Sequence, residues 1–441
     1  MRIAVIGAGI VGVSTAYELA ADGHELTVFE RRGSVAAEAS FANAGIGGPG
    51  YVTPWSPARR TRDFVGSLRL RTALEPATLG WMGQRWRAGR VERCAATRAR
   101  MLRLASFSRE RLHALTRSLR LDWEHSDGCL VLLRTRRDAA ALRPGLDVLR
   151  ELGIAFDELD AEGCLRVEPG LSRATPLHAG IHLAGDEAGN CRQLAWLMRE
   201  HAQRLGARFR FHTTVRALHP GARPGVTHEQ LGADETMRFG GPGDAASREG
   251  LATQPMALGP VTDTFDAVVV CAALGSPQLL APHGLALPLA AVRGFSITAP
   301  LRHIEEHFDF GPRSALIDDR HAVTISRLGK RVRVAGGAQV GAGSARDEAR
   351  AFATLHKVLN DWFPGAVHIR QAQQWRGARP TLPDGPPLLG ASGIDGVWLN
   401  LGHGANGFAL AWGSARVLAD QIGGRAPAID VEGLGVSRLR D

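Results

Sequence analysis

The sequence predicts an α/β chain, α+β overall, and three observations carry that prediction. Residues 2 to 6 (RIAVI) and 26 to 30 (LTVFE) are short apolar runs on either side of a stretch with helical spacing, so a strand–helix–strand unit opens the chain. The runs FDAVVVCA (265 to 272) and VWLNLG (397 to 402) read as buried strands far along the sequence. Residues 288 to 299, 321 to 326 and 331 to 336 alternate apolar and polar positions, as antiparallel strands with one buried face do.

In chain order, Val11, Ala16, Leu19 and Ala20 mark the apolar face of a helix over 10 to 22. Three glycines cut the opening apolar run, and Glu18 and Asp22 follow on a helical period, so it reads as strand and helix rather than a secretory signal. A glycine-rich loop runs from Ser40 to Gly50. Met101, Leu104, Leu112, Leu115 and Leu119 share one face of a helix over 97 to 120. Residues 129 to 133 read as a strand, 145 to 152 as a helix, and 207 to 218 as strands. Asn190 is placed to cap a helix over 191 to 205. Residues 219 to 260 are rich in Gly, Pro and charge without a sustained period, so a long, partly disordered surface insertion is expected there. Helices are expected over 345 to 360 and 406 to 422.

A chain of 441 residues has room for about two or three structural units. Its 44% apolar and 22% charged content is that of a globular protein. The net charge of +9 does not point to nucleic acid, because only Lys330 and Lys357 are lysines and the Ala-, Gly- and Arg-rich composition reads as GC-rich coding. No zinc-finger spacing or aromatic RNA-binding motif accompanies the charge. Cys94, Cys129, Cys164, Cys191 and Cys271 are odd in number and form no CxxC pair, which favours a reducing, cytoplasmic setting over a disulfide framework or zinc site. His303 and His307 have metal-like spacing, but no metal is expected. No apolar run reaches the roughly 18 residues of a membrane span.

Gly7, Gly9 and Gly12 form G-A-G-I-V-G between the first strand and helix, which makes the unit Rossmann-like. The first glycine permits the tight turn, the second lets a pyrophosphate approach the backbone, and the third lets helix and strand pack closely. Free N–H groups at the helix start then face the phosphates. Glu30 ends the second strand, where a carboxylate takes ribose hydroxyls. The bland alternative is a glycine-rich turn that only packs. An acidic residue there suits NAD or FAD, and the C-terminus decides. G-H-G-A-N-G-F (402 to 408) lies between a strand and a helix, so a second helix start would face the N1 and C2=O side of a reduced flavin.

These residues resemble the FAD-dependent D-amino-acid oxidase superfamily, and within it most closely the small subunit of the bacterial D-amino-acid dehydrogenases. The matching pieces are IAVIGAGIVGVSTAYELA, SFANAG-x-x-x-PGY-x-x-PW (40 to 55), GDEAGNC (185 to 191), VRGFSIT (292 to 298), WRGARPTLPDG-x-P-x-x-G (375 to 390) and NLGHG-x-x-G-F (400 to 408). The resemblance implies a discontinuous FAD-binding domain (1–55, 185–285, 376–441) and a substrate domain (56–184, 286–375) whose mixed or antiparallel sheet roofs the flavin. It implies FAD contacts at Ile6, Gly7, Ala8, Gly9, Ile10, Val11 and Gly12, then at Glu30 and Arg31, and then at Ser40, Asn43, Ala44 and Gly45. Val215, Ala272, Gly275, Gly402, Gly404, Asn406, Gly407 and Phe408 complete that set. Ala-Ala-Leu-Gly at 272 to 275 departs from the family's Ala-Thr-Gly turn. Relatives with covalent flavin carry a Cys before Pro383-Asp384, and no Cys follows Cys271, so non-covalent FAD is expected.

The resemblance also makes Arg379 the anchor for an amino-acid carboxylate, held between Ala378 and Pro380 with Pro383 close behind. The bland reading is an arginine capping carbonyls at a domain junction. His403 either adds positive potential beside the flavin or only bonds backbone, and Tyr51 either reaches substrate or packs. The implied activity is oxidative deamination of D-amino acids by hydride transfer from Cα to flavin N5. Electrons then pass to a quinone or another acceptor. Two alternatives stand beside it: an oxidase of glycine, sarcosine or a cyclic imino acid that uses O2, and a non-catalytic flavin-binding subunit of a larger complex. Sixteen arginines between Arg59 and Arg120, with Trp81 and Trp86 among them, form either a solvated face or a surface that docks peripherally on the inner, anionic face of the cell membrane.

Overall fold

The N-terminal unit forms as its spacing requires. In the computed structural model, which describes residues 1–52, 76–88, 91–230, 259–302, 311–341 and 344–439, β1 (Arg2–Ile6) and β2 (Glu25–Phe29) flank α1 (Ile10–Ala21). β1 runs parallel to β2 on one side and to the strand Ala267–Val270 on the other, with Ile3 opposite Leu26 and Ala267. The strand Val397–Leu401 adds in parallel, and Leu388–Ala391 and Arg208–Arg210 close the two edges of this 6-stranded sheet. Both faces are buried, which is why its strands read as continuous apolar runs. Ile3, Val5, Val28 and Val269 pack under α1 and the helices Cys191–Arg204 and Gly407–Ile422. Ala4, Ile6, Val268 and Val270 pack on the opposite face against Leu218 and Val226 of a small antiparallel 3-stranded sheet.

The helix Val91–Leu119 crosses Gly407–Ile422 closely: a Cβ at Gly413 would stand 2.9 Å from the carbonyl oxygen of Leu104. Glu18, fully buried on α1, joins these helices through Arg111 (2.7 Å) and Arg416 (2.8 Å). The first and last helices are thereby tied by charge as well as by packing.

A 9-stranded sheet forms the second layer. Its strand order begins at the edge with Gln373–Thr381, then Ala290–Pro300, Arg331–Val340, Val323–Leu328 and Ala315–Asp318. It continues through Ser126–Leu133, Ala179–Ala188 and Ile46–Gly47, and the ninth strand, Asp157–Asp160, pairs antiparallel with Ala179–Ala188. All these pairings are antiparallel except Ala315–Asp318 with Ser126–Leu133. The helix Ala345–Trp362 covers Phe295, Ile297, Val332 and Val334.

Three expectations need correction. The segment boundary placed at 376 falls inside the continuous strand Gln373–Thr381, so Arg379 belongs to the 9-stranded sheet. Pro380 is compatible with that strand because it lies at the sheet edge, where a missing N–H breaks no second ladder. Likewise Ile46–Gly47 and the 185 to 188 segment pair within the 9-stranded sheet rather than the 6-stranded one. Part of the expected 219 to 260 insertion is ordered, since Gly225–Gln230 pairs with both Thr213–His219 and Val261–Thr264. Its remainder, 231–258, lies outside the described residues, as do His303 and His307.

Candidate active site

One cavity of about 240 Å³ lies where the two large sheets meet. Ile6, Gly7, Gly9, Ile10 and Val11 form one end, and Gly7 (φ 102°) turns the chain there. A Cβ on Gly7 would stand 2.6 Å from the Cys271 carbonyl oxygen, and one on Gly12 would stand 1.8 Å from the Gly7 carbonyl oxygen. A Cβ on Gly9 would meet only Ser40 Oγ, at 3.6 Å, so space remains there for a close-approaching group. No side chain caps α1 at Gly9, although Ser40 Oγ accepts from the Ile10 N–H (3.1 Å). The helix Gly407–Ile422 also starts at the cavity without a side-chain cap, behind Gly402, His403, Gly404 and Phe408. Two helix starts therefore present positive potential to one space.

Glu30 is held at the end of β2 by N–H donation from Ala8 (2.7 Å) and Arg32 (2.8 Å), while burial pushes its carboxyl above the ordinary carboxylate range. Arg31 pairs with Glu38, and both line the cavity. Asn43, Ala44, Val215, Ala272 and Gly275 line it too, with Ala273 in the left-handed region (φ 49°), a sparsely populated conformation for a residue with a Cβ. Four expected contacts stand behind the wall instead. Ala8 is fully buried with its N–H on Glu30, and Gly12 packs on Gly7. Gly45 is pressed on the Gly189 carbonyl, and Asn406 lies in the turn before the last helix.

At the sheet end stands Arg379. Its strand pairs with Ala290–Pro300, placing Val292 opposite Arg379, and its guanidinium lies across Gly294, where a Cβ would come 2.3 Å from Nη2. Nη1 donates to the Gly337 carbonyl (3.0 Å), which fixes the plane of the fork at the cavity wall. Gly294 and Phe295, both missed in the sequence as site residues, supply the floor under it; the signal was VRGF, whose glycine leaves room for the guanidinium.

His403 lines the same region, but burial pulls its imidazole down to about 3, so it is neutral. Its Nε2 lies 3.1 Å from Ser414 Oγ, and Thr381 bridges its backbone. Of the two readings left open for His403, burial favours the one without added positive charge, because desolvation disfavours the protonated ring. Tyr51 lines the cavity on a helical turn, Pro49–Val52. Asp186 holds that turn, accepting from the Gly50 N–H (3.0 Å) and from the Tyr51 N–H, and burial pushes its carboxyl up to about 7. Trp81 is not a surface aromatic. It is buried against Val292 and Val340, and its Nε1 donates to the Thr381 carbonyl (3.1 Å), which pins the helix Pro76–Ala88 beside Arg379's strand.

The described residues contain no group of His, Cys, Asp and Glu able to hold a metal ion. They do fit a flavin dinucleotide: an open cradle at Gly9, two uncapped helix starts and an acceptor at Glu30 share one elongated space. Residues 2–421 match the family described as DAO, FAD dependent oxidoreductase. The D-amino acid dehydrogenase of Cereibacter sphaeroides is 39% identical, covering 99% of this chain and 95% of that protein. The Rhodopseudomonas palustris protein of the same name is 36% identical, covering 100% and 98%. Among solved structures, glycine oxidase from Geobacillus kaustophilus aligns with a TM-score of 0.68 at 21% identity over 99% of each chain, a likeness of fold. By its match along nearly the whole sequence and its full-length relatives, the chain belongs to the DAO family of FAD-dependent oxidoreductases, with FAD as its cofactor.

Proposed function

We propose that the protein oxidatively deaminates D-amino acids to 2-oxo acids and ammonia and passes the electrons to a quinone or a comparable acceptor. The observation that carries this reading is the Arg379 fork, fixed at the wall of the same cavity into which two uncapped helix starts open. Full-length relatives that bear the name D-amino acid dehydrogenase support it. Arg379 takes the substrate carboxylate through two parallel charge-assisted hydrogen bonds and so fixes the direction of the Cα–H bond. The amine is bound neutral, and its lone pair expels the α-hydrogen with both bonding electrons; water then hydrolyses the imino acid. FAD, when bound, supplies the two-electron acceptor for that hydride at N5. Neutral His403 shapes the pocket without competing for the carboxylate, and Tyr51 closes its side. Non-covalent FAD is supported by Cys271, the one described cysteine at the cavity, whose thiol burial pushes up to about 12, out of reach of a thiolate.

Anaerobic mixing of the FAD-loaded protein with D- and L-amino acids tests the reading. D-amino acids are expected to bleach the flavin absorbance, and aerated turnover should give little peroxide while a soluble quinone is reduced. Failure of every D-amino acid to bleach the flavin would remove the proposal.

A further inference from the structure

The segment Ala42–Gly45 crosses the cavity wall, and each of its four carbonyls is taken from behind. Ser296 Oγ donates to the Ala42 carbonyl (2.8 Å), Arg333 Nη1 to Asn43 (3.2 Å), and Ser326 Oγ to Ala44 (2.8 Å). The Gly189 N–H donates to the Gly45 carbonyl (2.8 Å). The three side chains come from three neighbouring strands of the 9-stranded sheet, and all are buried. By contrast, the N–H groups of Ala42, Asn43 and Ala44 find no acceptor among the described residues, and all three residues line the cavity. Buried backbone donors are nearly always satisfied. Ala42 is buried while Asn43 and Ala44 are half-buried at the cavity, so this row of three donors offers a wall suited to an acceptor-rich ligand.

Arg333 adds a second anomaly. It is 6% exposed, and no carboxylate forms an ion pair with it among the described residues. Its other contact is the Thr298 hydroxyl, at 3.0 Å from Nε. Burial pulls it down to about 10, so it remains a cation at neutral pH. Glu124, which pairs with Arg331 (2.7 Å), acts on it only from a distance, and a buried cation whose direct partners are neutral is costly unless an anion faces it.

We propose that Ser296, Arg333 and Ser326 are positioning residues that turn the carbonyls of Ala42–Ala44 away from the cavity, so that the segment's amides and the Arg333 charge together stabilise the reduced, anionic form of the bound flavin. The inference rests on FAD occupying this cavity. It adds a clamp that touches neither substrate nor cofactor and acts through the backbone. A carbonyl released by loss of its donor would turn its negative end toward the ring, and loss of the Arg333 charge would act in the same direction.

The test is the midpoint potential of the bound flavin, measured anaerobically against reference dyes in the FAD-loaded wild type and in Arg333→Met, Arg333→Lys, Ser296→Ala and Ser326→Ala. Arg333→Met is expected to lower the potential by about 30 mV or more, a tenfold shift of the two-electron equilibrium. Arg333→Lys should recover most of that loss, and each serine variant should lower the potential and weaken FAD binding roughly tenfold. A wild type that takes up no FAD sinks the underlying reading. Variants that hold FAD at the wild-type potential overturn the clamp alone. If Arg333→Met does not fold, the two serine variants decide, and an unchanged potential in both overturns the clamp.

Discussion

Arg379 shows how much one side chain depends on its mount. Its backbone is paired along Ala290–Pro300, its guanidinium rests on Gly294, and its Nη1 is tied to Gly337, so little torsional freedom remains to be lost when a carboxylate arrives. Arg379→Met should lower kcat/KM for D-amino acids by about two to four decades, the equivalent of roughly 3–5 kcal/mol for two charge-assisted hydrogen bonds. Steady-state kinetics with unchanged flavin content checks this; a loss under tenfold would assign the arginine to packing. At this scale the sequence was readable where one residue type announces its chemistry. Gly7, Gly12 and Glu30 sit in a motif whose spacing encodes the turn, and each is where that spacing placed it. Arg333, Ser296 and Ser326 were not readable, because their meaning comes from facing a loop about 250 or more residues away in sequence.

Between elements, the informative contact is that of the strand Ala179–Ala188 with the turn Pro49–Val52. Asp186 accepts two amides of that turn, and Cβ atoms at Gly48 and Gly50 would lie 2.2 and 2.8 Å from its carboxyl oxygens. Burial, the largest cause, raises its folded pKa from 3.8 to about 7. Between those values the folded protein binds more protons than the unfolded chain, so stability falls as pH rises through that window. His113, raised by its hydrogen bond to Glu187 on the same strand, loses stabilisation with rising pH in the same sense. Asp186→Asn keeps an acceptor for the two amides and removes only the Asp186 titration. Relative to wild type, the variant should gain on the order of 2–4 kcal/mol between pH 5 and pH 8. Thermal unfolding of both proteins at several pH values checks this, and parallel curves would refute it. Sequence periodicity found most helices and the alternating strands, and Asn190 does cap Cys191–Arg204 through Gln193 N–H (3.2 Å). It missed Gln373–Thr381 because a proline, a glycine and two arginines disguise an edge strand as a loop.

For the molecule as a whole, the arginine-rich stretch divides into two roles. Arg103, Arg109 and Arg111 turn inward to Asp430, the Gly185 carbonyl and Glu18, so they knit the long helix to the body. The helix Pro76–Ala88 keeps Trp86 at 72% and Leu79 at 49% exposure, with Arg85 and Arg87 in its last turn. No helix among the described residues is long and apolar enough to cross a membrane. A peripheral contact with an anionic bilayer through this helix would bring a quinone beside Arg379's strand. Co-sedimentation with anionic vesicles at low salt should retain the protein, with loss in Trp86→Ala and at high salt; equal recovery with neutral vesicles would exclude that contact.

The interleaving of chain ends in the 6-stranded sheet has a consequence for biogenesis. β1 is synthesised well before its parallel neighbour Ala267–Val270, and the strand beyond that, Val397–Leu401, comes later still. The last helix then lies on the first, with Ser14 Oγ donating to the Ala411 carbonyl (3.1 Å). A nascent polypeptide therefore holds its nucleotide-binding turn without those sheet neighbours until Val397–Leu401 has been made, so capture of the prosthetic group waits on the distal strands.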